Sequence, residues 1–238
     1  MPMMHIRRAN RLLRPTIFLA PLLFGLCVPR SGGAAGVTEP RILVHLAAAT
    51  TKTGSCTPAI ADCTSPSVNV FGLTYNVATE LYYFAYVLVA GHEATPGLNE
   101  IKFAVDYARG TGEGVDVFEW TTCATSLGEA DWYVSGAGNQ IRWEDCPKSD
   151  VAVAGYFYMT AYTPGKIGIV PPPGEGPATL TSCGGQPVEI PIGHLGFAGF
   201  GDQQGCNPCR DECHYVAVQP TTWGSLKARF GVPDGTFR

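Results

Sequence analysis

The chain has 238 residues, 16 of them basic and 20 acidic, with 29 glycines, 19 prolines and nine cysteines. Its net charge of −4 and the lack of any cluster of Lys or Arg beyond the first thirty residues exclude a nucleic-acid binder, because an acidic surface repels phosphate. No internal repeat is visible, and no segment is long or polar enough to form a disordered domain.

The N-terminus reads as a secretory signal peptide over residues 1–35. Arg7, Arg8, Arg11 and Arg14 precede an apolar run at 16–28, and the small-residue stretch 31–36 follows. The run is interrupted by Pro21 and falls short of the roughly twenty residues a membrane-spanning helix needs, so cleavage is expected, with no membrane span afterwards. Cys27 follows Leu26, where a lipoprotein signal wants a small residue. Cleavage removes five of the 16 basic residues and keeps all 20 acidic ones, which takes the net charge from −4 to −9. The expected location is secreted or cell-surface.

Residues 36–68, rich in Ala, Thr, Ser and Pro, are expected to be a flexible segment with a first strand at 41–47. Residues 69–238 are expected to form one β-rich domain. Residues 80–90 are nearly all apolar or aromatic, the pattern of a central strand covered on both faces. Residues 99–108 alternate, with Ile101, Phe103, Val105 and Tyr107 on one face. Weaker strands are expected at 115–121, 140–144, 166–170 and 187–190. A stronger one spans 151–162, placing Val153, Gly155, Phe157, Met159 and Ala161 in the core and Ala154, Tyr156, Tyr158, Thr160 and Tyr162 on the other side. Gly/Pro turns near 95–97, 110–114, 135–138, 163–165 and 171–177 separate these strands. Many short strands with such turns predict an all-β, antiparallel β-sandwich of Ig-like or jelly-roll-like kind. Helical spacing appears only at 221–230, where Trp223, Leu226 and Phe230 form a short stripe after a Thr cap.

Removal of Cys27 leaves eight cysteines: Cys56, Cys63, Cys123, Cys146, Cys183, Cys206, Cys209 and Cys213. An even number in an exported chain reads as disulfides, with 105 possible connectivities. Local spacing favours Cys56 with Cys63, across a Pro-containing loop, and Cys123 with Cys146, at the ends of two strand-like segments.

Several motifs taken together, Phe103-Ala-Val-Asp-Tyr107, Val117-Phe-Glu-Trp-Thr-Thr-Cys123, Ala154-Gly-Tyr-Phe-Tyr158, Gly196-Phe-Ala-Gly-Phe-Gly201, Cys206-Asn-Pro-Cys209 and Thr221-Thr-Trp-Gly-Ser-Leu-Lys227, cover most of the chain after residue 35. In these the chain resembles uncharacterised secreted proteins of environmental bacteria. The resemblance implies no activity; it implies pairing of Cys183 with Cys209 and of Cys206 with Cys213.

Among residues that carry chemistry, Cys206, Cys209, Cys213 and His214 are dense enough in soft ligands to hold zinc, but an oxidising compartment favours disulfides there, and no metal or other cofactor is expected. The carboxylates Asp116, Glu119, Glu129, Asp131, Glu144 and Asp145 lie near Trp120, Trp132 and Trp143, the mixture found in glycosidase clefts. Simple alternation puts Asp116 and Glu119 on opposite faces of their strand. No Gly-x-Ser-x-Gly elbow occurs, and no catalytic residue is assigned. Tyr156, Tyr158 and Tyr162, with Tyr82 and Tyr86 beside them, form either an aromatic platform or simply the outer layer of a sheet. Two functions stay open. The favoured one is a non-catalytic exported module that binds a glycan or cell-surface protein, or assembles with itself, through Tyr156, Tyr158, Tyr162, Trp132 and Trp143. The alternative is a secreted glycan-acting hydrolase using the carboxylates of the Trp-rich middle region.

Overall fold

Strand-forming residues without a polar face must be covered twice, and Tyr82–Ala90 is such a run: all but its first residue are buried. The computed structural model describes residues 39–71, 81–92, 96–110, 113–128 and 134–216. The signal segment, Trp132, Glu129, Asp131 and the 221–230 helix lie outside the described residues.

Among the described residues, thirteen strands follow in chain order: β1 (Arg41–Ala49), β2 (Asn69–Val70), β3 (Tyr82–Ala90), β4 (Leu98–Tyr107), β5 (Arg109–Gly110), β6 (Glu113–Thr122), β7 (Ser126–Leu127), β8 (Gly138–Arg142), β9 (Val151–Ala161), β10 (Gly165–Val170), β11 (Thr179–Ser182), β12 (Pro187–Glu189) and β13 (Phe197–Phe200). A first sheet runs β1-β3-β9-β6-β5, antiparallel throughout. A second runs β12-β11-β4-β10-β13-β2, with β8 pairing both β4 and β7; its β13–β2 contact is parallel. The two sheets form an antiparallel β-sandwich.

Alternation along the strands fills the space between the sheets. Ile42, Val44 and Leu46 of β1, Tyr83, Ala85, Val87 and Val89 of β3, and Phe157 and Met159 of β9 pack with Ile101, Phe103, Val105 and Tyr107 of β4, and with Ile167 and Ile169 of β10. Tyr83 of one sheet meets Phe200 of the other edge-on at 5.6 Å, a favourable aromatic geometry. Trp143 lies in this same core, 4% exposed.

The first sheet has a second apolar face. Leu43, Phe84, Tyr86, Leu88, Ala90, Tyr156 and Tyr158 form a separate cluster there. Residues 50–66, which follow β1, are laid over it and contribute Ile60 and Cys63 to the packing. The Ala/Thr/Ser/Pro-rich stretch thus supplies an edge strand and then a cover.

One periodicity is corrected by the structure. In β9, Ala152 and Ala154 join Phe157, Met159 and Ala161 in the inter-sheet core, while Val153 packs on the other face with Tyr156 and Tyr158. The register slips beside this point, between Val87 and Leu88 of β3, so one residue of β9 is extra and the alternation changes phase. Gly155 permits it: a Cβ there would overlap the Trp120 ring and the Thr121 carbonyl.

The cysteine pairing also differs from the expectation built on local spacing. Cys56 bonds Cys123 and Cys146 bonds Cys183, so neither Cys56–Cys63 nor Cys123–Cys146 forms. Sequence proximity misleads because the cover carries Cys56 across the sheet to the residue after β6. Cys206 bonds Cys213, whereas Cys183–Cys209 is ruled out because Cys183 is already bonded to Cys146. Cys63 and Cys209 carry free thiols.

Because both faces of β9 are buried, truncation on either side should be expensive. Phe157→Ala and Tyr156→Ala are each expected to cost about 3–5 kcal/mol in denaturant unfolding. A loss at Tyr156 several-fold smaller than at Phe157 would show that the cover does not seal the second face.

Candidate functional site

The cover determines which aromatic side chains remain reachable. The Tyr156 hydroxyl donates to the Gly54 carbonyl at 3.2 Å and accepts from the Gly54 N–H at 3.0 Å. Burial pushes the Tyr86 hydroxyl pKa up, and the Ser55 backbone hydrogen-bonds that hydroxyl. At its far tip the cover is bonded to the end of β6 through Cys56–Cys123. On its return it lies along β1, where Leu46 N–H donates to Ser67 O at 2.7 Å. Residues 50–67 therefore cross the sheet from β1 to β6 and come back.

Beyond the cover, one part of the tyrosine face stays open. Lys52, Tyr82, Phe118, Glu119 and Tyr158 line a shallow groove of about 320 Å3. Tyr82 and Tyr158 stack at 5.2 Å with 21° between their planes. Phe118 meets Tyr82 edge-on at 6.0 Å and Tyr158 at 5.7 Å. Phe118 is 40% exposed, a high value for so large an apolar ring.

A β-bulge builds this wall. Val117 pairs with Met159 but Glu119 pairs with Tyr158, leaving Phe118 as the extra residue. Directly opposed residues share a face, so Glu119 lies on the tyrosine side. Asp116, opposite Thr160, lies on that side too. The expectation that Asp116 and Glu119 occupy opposite faces is thereby overturned: the extra residue restores them to one side. Val115, Val117 and Trp120 meanwhile all reach the inter-sheet core.

The expected binding residues are dispersed. Tyr156 is sealed under the cover at 2% exposure, Tyr158 forms the floor of the groove, and Tyr162 is half-buried past the end of β9, its backbone N–H bonded to Gly114 O. Trp143 is a core residue that also borders a shallow pocket with Asp145 and Pro147, and Trp120 packs on Phe157 at 4.6 Å. Both middle-region tryptophans that the structure describes belong to the inter-sheet core. The zinc pattern near residue 210 loses two of its three thiolates to Cys206–Cys213.

Phe118 and Lys52 were not expected at a site. The sequence does carry a signal for Phe118. Apolar residues at 115 and 117 followed by Trp at 120 change parity, which is the mark of an inserted residue. Lys52 has no such signal, because its place on the groove rim depends on the path of the cover.

The return limb of the cover is expected to respond to acid. His45 accepts a hydrogen bond at Nδ1 from the Ser67 N–H at 2.9 Å, and burial lowers its pKa below the ordinary 6.5. Only neutral imidazole accepts that bond. Its stabilising contribution is therefore complete above pH 6.5 and is lost as pH falls through the lowered folded value. An NMR titration should give His45 a midpoint below 6.5, with Ser67 amide protection lost over the same range; a midpoint at or above 6.5 would contradict the assignment.

No protein-family model matches the chain, and no curated protein matches it in sequence. Among solved structures, it is similar to a cohesin module from Clostridium perfringens ATCC13124 family 33 glycoside hydrolase. The TM-score is 0.38 at 9% identity, over 67% of this chain and 97% of that one. At that score and identity the likeness carries no argument about this chain.

Proposed function

We propose that this chain is an exported, non-catalytic β-sandwich module that binds a glycan in the groove formed by Tyr82, Phe118 and Tyr158. The observation that supports the reading is Phe118, an exposed ring held against two tyrosines by a bulge and flanked by Lys52 and Glu119. Sugar rings present an apolar C–H face with hydroxyls around the rim. A shallow aromatic wall with one cation and one carboxylate at its edges suits that chemistry. Three disulfides among the described residues fit an oxidising compartment outside the cytoplasm, and none of the described helices is long and apolar enough to cross a membrane.

The test is a glycan array probed with the purified protein, followed by titration of the best ligand. Phe118→Ala should weaken that ligand about three- to tenfold, the share of one aromatic contact, while leaving the fold intact because the ring is exposed. Unchanged affinity in the variant would overturn the groove as the site. Binding to no glycan, together with concentration-dependent self-association abolished by the same substitution, would replace the glycan with a second copy of the chain.

The hydrolase reading keeps one observation in its favour, the placement of Asp116 and Glu119 on the same side of β6. A glycosidase needs two carboxyl groups flanking one bond. Release of reducing sugar from a bound glycan, abolished by Glu119→Gln, would establish it. Binding without release supports the module.

A further inference from the structure

We propose that Cys63 and Cys209 form a fourth disulfide, which staples the return limb of the cover to the Cys206–Cys213 loop. The two residues are 146 positions apart, and their pairing is not suggested by spacing. Their proximity comes from the fold. Both pack, half-buried, against the same aromatic and aliphatic cluster on the outer face of the first sheet.

A single side chain joins their backbones. Asn207, 3% exposed, donates from Nδ2 to the Cys63 carbonyl at 3.0 Å and accepts at Oδ1 from the Cys209 N–H at 2.9 Å. A buried amide that satisfies both its ends in this way holds the two segments in register. The thiols themselves hydrogen-bond each other. Beneath them, an Arg41 guanidinium N–H donates to the Pro208 carbonyl, tying the turn that carries Cys209 to β1. Both partners are thus positioned by bonds that do not involve sulfur.

Burial pushes the Cys209 thiol up to about 12, and the hydrogen bond it donates to Cys63 adds to that shift. Oxidation of the pair proceeds by exchange with an external disulfide, RS–SR. One of the two thiols releases a proton to water, and its thiolate attacks one sulfur of RS–SR. This forms a mixed disulfide and expels RS−, which takes up a proton. The second thiol then loses its proton to water and attacks the protein sulfur of the mixed disulfide, expelling the second RS−, which is protonated in turn. Two protein thiols are oxidised to a disulfide, and RS–SR is reduced to two RSH.

The cover would then be closed at both margins of the sheet, with Cys56–Cys123 on the β6 side and Cys63–Cys209 on the β1 side. Between the two staples lies Ile60, which packs on the tyrosine cluster. This inference does not depend on the glycan reading, since the bond lies in the cover rather than in the groove.

The test uses the full chain exposed to oxidised glutathione, blocked with an alkylating reagent in denaturant, and digested without reductant. The proposal predicts a product two hydrogens lighter than the three-disulfide form and a linked peptide pair containing Cys63 and Cys209. It also predicts that neither single variant, Cys63→Ser or Cys209→Ser, yields that linked pair, the remaining thiol being left open to the alkylating reagent or to a glutathione adduct. Cys63→Ser/Cys209→Ser should fold with its three other disulfides and melt about 5 °C or more below the oxidised wild type. Full alkylation of both thiols after oxidant treatment would overturn the proposal, as would linkage of Cys63 to any other cysteine.

Discussion

A sheet that is apolar on both sides imposes the main constraint on this molecule. β3 sends Tyr83, Ala85, Val87 and Val89 into the space between the sheets and Phe84, Tyr86, Leu88 and Ala90 to the opposite side. The second sheet can cover only one of those faces. Each large side chain left in water would forfeit about 2–3 kcal/mol, comparable in sum with the stability of a whole domain. Residues 50–66 meet the requirement. They contain no regular structure, so their backbone groups need partners, and the Tyr156 and Tyr86 hydroxyls serve three of them, the Gly54 N–H, the Gly54 carbonyl and the Ser55 backbone. Polar hydroxyls on an apolar face thus serve as anchor points for an irregular segment.

The groove is what remains where that cover stops. Its wall depends on the bulge in β6, which turns Phe118 and Glu119 toward the tyrosines while Trp120 returns to the core. A regular strand would give alternate residues to the two faces and could not present two adjacent side chains to one of them. The second irregularity, at Gly155 of β9, lets Trp120 lie against the neighbouring backbone. Packing of the interior and exposure of Phe118 are therefore linked through a single stretch of β6.

Much of the architecture could be read from the residues in order. The doubly covered character of Tyr82–Ala90 and the alternation of Leu98–Tyr107 follow from their composition, because strand periodicity is a local property. Short strands such as Phe197–Phe200 are too brief to show a period. The phase of β9 is not legible in its residue types, because an extra residue near Gly155 resets the alternation without changing them. The core position of Trp143 is not legible in its residue type, because aromatic side chains serve cores and ligands alike. Cys206–Cys213 forms as the resemblance implies, but the pairs expected from local spacing do not, for a different reason. Cys56 sits on a segment that crosses the sheet and meets Cys123 far away in sequence, while Cys146 meets Cys183.

The central claim is that residues 50–66 seal the outer face of the first sheet and are held there through Cys56–Cys123. Hydrogen exchange followed by mass spectrometry, comparing the native protein with Cys56→Ser/Cys123→Ser, tests it most directly. The account predicts that exchange accelerates in 50–66 and in the β9 residues beneath, and that an environment-sensitive apolar dye binds the exposed tyrosine face, while protection in β4 and β10 is retained. Equal protection of 50–66 in both proteins, with no dye binding, would contradict it.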